Sequence, residues 1–133
     1  MELKLEVVPV PVDDVDPAKE FYVDKLGFNV DHDVQPSEGM RVVQLTPPGS
    51  ACSIVLATGL PPLEMEPGSI RGLHLVVSDI AAAHAALLSR GLELGQVEDM
   101  GGMLYAGFSD PAGNTWTLQE IPANASQDPG QIG

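Results

Sequence analysis

VPVDDVDPAKEF at residues 10–21 and LVVSDIAAAHAA at residues 75–86 fall into register at an offset of 65 residues. Asp14 meets Asp79, Val15 meets Ile80 and Ala18 meets Ala83. Each copy runs from an apolar, β-rich segment through an acidic residue into a helix-forming segment. A fixed internal period of this kind organises the reading of everything else. In the first copy Asp16 can cap the helix, Pro17 suits its first turn, Phe21 and Leu26 supply apolar contacts, and Gly27 ends it. In the second, IAAAHAALLSR is the helix, capped by Ser78 or Asp79 and stopped by Gly91.

Working outward, LKLEVVPVPV at 3–12 precedes the first helix as a strand. FNVDHDV at 28–34, MRVVQLT at 40–46 and ACSIVLA at 51–57 follow it as three more, with PPGS at 47–50 as a turn. LHLVVSD at 73–79 opens the second copy. LELGQV at 92–97, MLYAGFSD at 103–110 and NTWTLQEI at 114–121 complete it, with DPAGN as a turn. The order is β-α-β-β-β, twice, in a single domain over 1–133. The first module covers 3–57, a Pro- and Gly-rich linker 58–70, the second module 71–121, and a disordered tail is expected over 122–133. The expected fold is α+β, with the two βαβββ modules forming a curved mixed sheet. Helices would lie on its convex face and a cavity on its concave face.

A chain of 133 residues suits one compact domain that buries roughly two-thirds of its unfolded surface. Cys52 is the only cysteine, which rules out an internal disulfide and fits a reducing cytoplasm. The start, MELKLEVV, carries Glu2 and Glu6 and does not read as a signal peptide. No apolar run approaches the ~20 residues that span a bilayer. Six Lys and Arg against a net charge of −13 disfavour nucleic acid and anionic membranes as partners. The same charge would attract a cationic partner, although acids scattered this widely serve mainly solubility.

VDDVDPAKEFYVDKLGF at 12–28, QLTPPGSACSIVL at 44–56, LHLVVSDI at 73–80 and FSDPAGNTWTLQE at 108–120 together resemble the vicinal oxygen chelate superfamily. Its members include glyoxalase I, extradiol dioxygenases, fosfomycin-modifying enzymes and bleomycin-binding resistance proteins. The resemblance implies paired βαβββ modules, a site on the concave face and often a homodimer. In the family's metalloenzymes, His, Glu or Gln on the first and fourth strand of each module bind a divalent metal that polarises substrate oxygens. Carried onto this sequence, those positions are Val7, Ser53 or Val55, Gly72 and Thr117. None is a carboxylate, imidazole or thiol, and hydroxyls are poor transition-metal ligands. No cofactor is expected, and glyoxalase I activity is not.

Strand side chains alternate faces. Leu73, Leu75 and Val77 should pack on the helices, which turns Gly72, His74 and Val76 to the cavity. The same parity brings Thr115, Thr117 and Gln119 from the last strand, Met103 and Tyr105 from the strand before it, and Val7, Pro9, Ser53 and Val55 from the first module. His74, Tyr105, Thr117, Gln119, Met103, Val7 and Val55 are therefore the expected ligand-binding residues. His74 could contact a ligand, act as a base, or be a hydrogen-bonded filler. Asp31 and Asp33 could at most cooperate on a metal, with a solvated edge the favoured reading, Cys52 should be a buried thiol, and Arg41 and Gln44 could reach the cavity. The expected function is small-molecule binding, of an antibiotic or metabolite. The alternative is a lyase, isomerase or dioxygenase-type enzyme using a rearranged metal site or His74/Tyr105 acid–base chemistry. A scaffold that binds a partner through LPPLEMEPGS ranks behind both.

Overall fold

The computed structural model describes residues 1–61 and 64–121. The tail expected over 122–133, and two residues of the expected linker, lie outside them. The chain forms an α+β structure of two βαβββ modules. Contacts divide it into two units, Met1–Arg71 with Ser109–Thr115, and Gly72–Phe108 with the strand that continues from Trp116.

In the first unit, β1 (Val7–Pro9) leads to α1 (Val15–Glu20), then β2 (Asn29–Val34), β3 (Arg41–Thr46) and β4 (Ser53–Thr58). The sheet order is β1-β4-β3-β2, with β1 parallel to β4 and the other pairs antiparallel. Ile54 sits opposite Leu45, and Leu56 opposite Val43. All four are buried, with Val15, Ala18, Phe21 and Tyr22 of the helical segment. Period-two apolar residues on the strands thus meet a helical face, and that junction is the core.

The first strand is much shorter than 3–12. Met1, Leu3 and Leu5 are exposed, and pairing with β4 starts only where Ser53 N donates to Glu6 O. Asp14, not Asp16, caps α1, accepting from the Asp16 amide at 3.3 Å. α1 then passes into a π-helical turn, Phe21–Lys25. Gly27, at φ 73°, ends it as expected. This left-handed backbone suits glycine alone at low cost.

In the second unit, β5 (Leu73–Val76) leads to α2 (Ile80–Ser89), β6 (Glu98–Met100), β7 (Met103–Ser109) and β8 (Thr115–Glu120). The order β5-β8-β7-β6, with β5 parallel to β8, repeats that of the first unit. Asp79 caps α2 through the Ala82 amide, so the aligned Asp14 and Asp79 play one role. Glu120 Oε1 accepts from Ile80 N at 2.8 Å and completes that cap. Leu73 pairs with Trp116 and Leu75 with Leu118. Trp116 and Leu118 build the core with Ala106, Phe108, Ile80 and Leu92, Leu73 and Leu75 lie half-buried at its edge, and the Phe108 and Trp116 rings stack at 6.1 Å.

LELGQV is not a strand. The β6–β7 hairpin turns on Gly101 and Gly102, at φ 68° and 93°. Two positive φ values in a two-residue loop define the turn that matches strand twist. It pairs Met100 with Met103 and Glu98 with Tyr105, so the paired segment is EDM. Residues 92–97 approach the sheet through Gly95, whose amide donates to Gly107 O, and His84 holds the same loop through Gly95 O at 2.8 Å.

Candidate binding cleft

Register sets two pairs of side chains on the face of the second sheet opposite its core. His74 on β5 lies beside Thr117 on β8, and Tyr105 on β7 lies beside Glu98 on β6. These four, with Gln96, Met100, Ala106 and Gly107, line a cleft of about 410 Å³. Gly107 has no side chain to fill its floor. Gln119, two residues along β8 from Thr117, brings Oε1 to 2.7 Å from His74 Nδ1. An amide oxygen only accepts, so Nδ1 carries the proton and Nε2 of the neutral ring is left as an acceptor. Tyr105 meets the imidazole edge to face, with ring centroids 6.4 Å apart. His74 itself is exposed. Its ring is held from two sides and lines the cleft.

The structure therefore gathers His74, Tyr105 and Thr117 in one cleft, with Gln119 behind His74. Met103 is half-buried on β7, opposite Met100 at the hairpin end. Val7 and Val55 belong to the first unit. There Val7 pairs with Ser53 and Pro9 with Val55 on the face away from α1, Val7 half-buried and Val55 buried. Gln96, Glu98 and Met100 were not expected. Their signal was the Gly101-Gly102 pair, because counting back from that turn sets Glu98 against Tyr105.

Several side chains take other roles. Arg41 does not reach a cavity. It lies on the α1 side, where its guanidinium donates to Asp33 at 2.8 and 3.0 Å and to Asp16 at 2.8 Å. Lys19 donates to Asp33 at 2.6 Å. Arg41 first, and Lys19 second, hold the Asp33 carboxyl well below the usual carboxylate range, and the carboxylates raise Arg41 in return. Asp31 cannot join Asp33, because a β-bulge between Val30 and His32 breaks the alternation. Asp31 accepts from Thr46 Oγ1 instead, and Thr46 also touches Ser53 at 2.6 Å. Cys52 is half-buried rather than buried, and precedes β4 instead of sharing its inner face.

The DPAGN turn is densely bonded. Asp110 Oδ1 accepts from the amides of Ala112, Gly113 and Asn114. Its Oδ2 accepts from Asn114 Nδ2 and from the buried Tyr22 hydroxyl at 2.6 Å. Asn114 also donates to Pro11 O and accepts from Ile70 N. Every donor and acceptor of this buried group is spent on structure, and no buried polar side-chain atom among the described residues lacks a partner.

The first- and fourth-strand positions Val7, Ser53 or Val55, Gly72 and Thr117 offer no set of metal donors. Among the described residues, no three His, Cys, Asp or Glu side chains come together as one either. The residues present do not fit the divalent metal of the metalloenzymes. No helix among the described residues is long and apolar enough to cross a membrane.

Two βαβββ modules, each with its own four-stranded sheet, place the chain in a recognised class of α+β proteins. The chain belongs to the Glyoxalase/Bleomycin resistance protein/Dioxygenase superfamily, whose model matches residues 4–118. It is similar to TnmS3, an antibiotic binding protein from Streptomyces sp. CB03234, at 36% identity and a TM-score of 0.76, covering 90% of this chain and 96% of that one. A glyoxalase/bleomycin resistance protein from the same organism is 37% identical, with a TM-score of 0.71 over 86% and 98% of the two chains. A superfamily member from Sphaerobacter thermophilus DSM 20745 is 34% identical, with a TM-score of 0.75 over 90% and 98%. No curated protein matches the chain.

Proposed function

We propose that this protein binds a small organic molecule, an antibiotic or metabolite, in the cleft of its second unit and releases it unchanged. The observation that carries this reading is the state of His74. Gln119 takes one ring nitrogen and Tyr105 packs on the ring, and among the described residues His74 bonds no carboxylate and belongs to no group of three or more metal donors. That arrangement positions a hydrogen-bond acceptor in an aromatic-edged cleft, which is what recognition needs. The likeness to TnmS3, an antibiotic binding protein, supports the same reading.

A thermal-shift screen of antibiotics and metabolites, followed by calorimetry and mass analysis of the recovered ligand, tests it. Ligands should return unchanged, and His74→Ala should weaken them about tenfold, the value of one hydrogen bond to a ring nitrogen. Turnover lost in His74→Ala would favour acid–base catalysis by His74 and Tyr105. Near one equivalent of transition metal in purified protein, lost in the same variant, would favour a rearranged metal site. We also propose a cytoplasmic homodimer. The exposed Val76 and Met100, 63% and 66% accessible, and the lone Cys52 support it, and sedimentation velocity tests the association.

A further inference from the structure

We infer that the cleft selects ligands carrying a positive charge and hydrogen-bond donors, and that Glu98 is the residue that sets this choice. The inference rests on the binding reading above and adds the chemical class of the ligand. It follows from the polarity of the groups the cleft leaves open. In the neutral ring His74 Nε2 presents a lone pair, because Gln119 Oε1 takes the Nδ1 proton. Glu98 presents a carboxylate that forms no hydrogen bond or ion pair among the described residues. The Tyr105 and Thr117 hydroxyls can serve either way. Only the Gln96 amide brings an obligatory donor. A ligand that saturates this wall must mostly donate.

Charge sharpens the same preference. No lysine or arginine lines the cleft. Among the described residues of the second unit, Asp79, Glu93, Glu98, Asp99 and Glu120 face a single base, Arg90, at the C-terminal end of α2. Asp99 is occupied with the hairpin, accepting from Gly102 N at 2.8 Å, and Glu120 with the α2 cap. Glu98 is the acid that β6 sets on the cleft side, opposite Tyr105. An ammonium there gains the carboxylate and also the Tyr105 ring, a combination that an anion is denied. His74, Thr117, Tyr105 and Glu98 stand one on each of four adjacent strands, β5-β8-β7-β6. At about 4.8 Å per strand the outer two strands lie roughly 14 Å apart across the sheet. An elongated, multi-ring cation can touch both.

Three tricyclic probes of matched shape separate charge from shape. They are 9-aminoacridine, cationic at neutral pH, acridine, and the acridine-9-carboxylate anion. Their binding to the full chain is followed by fluorescence at low and moderate salt. The cation should bind at least tenfold more tightly than the carboxylate. Glu98→Gln should reduce that preference to under threefold while leaving acridine within twofold, and added salt should do the same. Thermal unfolding of Glu98→Gln should match wild type, since the residue is exposed. Equal binding of all three probes, or a preference untouched by Glu98→Gln, would overturn the charge selection and leave the cleft a binding site. Binding unaffected by His74→Ala and Gly107→Val would place the probes elsewhere and overturn both readings.

Discussion

Replacing Tyr22 by Phe removes one oxygen from the centre of the first unit. The ring has no exposed surface and packs between Phe21 and Phe28, with centroids 5.2 and 5.4 Å away. Phe keeps that packing, so apolar burial nearly cancels. What is lost is the hydroxyl that donates to Asp110 Oδ2 at 2.6 Å. A hydrogen bond to a charged acceptor is worth about 1.5–3 kcal/mol. Asp110 keeps Asn114 Nδ2 and three backbone amides, so it is not orphaned and the loss should fall near 2 kcal/mol. For a chain of this length that lowers Tm by roughly 5–10 °C. Urea unfolding followed by circular dichroism measures it. The same substitution in an Asp110→Asn background should cost at least about 1 kcal/mol less, because the charged acceptor is gone. A loss under about 0.5 kcal/mol, or equal losses in both backgrounds, would refute the bond and the buried role of Asp110.

Gly107→Val should close the cleft without unfolding the protein. A Cβ there meets only Trp116 O at 3.8 Å, and a β-branched residue favours a strand. Ligand affinity should fall tenfold or more at unchanged Tm, and retained affinity would move the site off this face. Gly68→Ala should destabilise by about 2 kcal/mol or more. Its φ is +76° and its Cβ would meet Ala112 O at 2.2 Å, so a Tm within 1 °C of wild type would contradict that approach. Asp33 titrates below the ordinary carboxylate value in the folded chain, held there by Arg41 and then Lys19. Its contribution is complete above the unfolded value of about 4 and fades as pH falls toward the folded one. The stability gap between wild type and Asp33→Asn, read by urea titration, should therefore narrow from pH 6 to pH 3. A gap that is constant, or widens in acid, would contradict the ion pairs.

The repeat carried most of what the letters disclosed. Asp14 and Asp79 align, and both turn out to be helix caps, which makes the preference for Asp16 an error that the alignment itself corrects. Parity along LHLVV and NTWTLQE separated core from cleft, because both strands are regular and pair in parallel without slip. Strand parity misleads where regularity fails. The bulge at Asp31 resets alternation, so Asp31 and Asp33 part company. LELGQV looked apolar enough for a strand, but the Gly101-Gly102 turn, not hydrophobicity, decides which residues pair. Glu98 and Gln96 went unseen for the same reason. Nothing in the letters DPAGN tells that a tyrosine 88 residues away completes the turn.

That distant closure also orders events in time. The first unit takes its last strip, Ser109–Thr115, from far down the chain, and Asn114 reaches Pro11 across 103 residues. As the ribosome releases the polypeptide, Ile70 waits for a partner made 44 residues later. At ~5–20 residues per second that wait is roughly 2–9 s. Through that interval the Tyr22 hydroxyl lacks Asp110 and the Pro11 carbonyl lacks Asn114, and the early half of the nascent chain is open to chaperones and proteases. Slowing synthesis anywhere between Arg71 and Ser109 would lengthen the exposure.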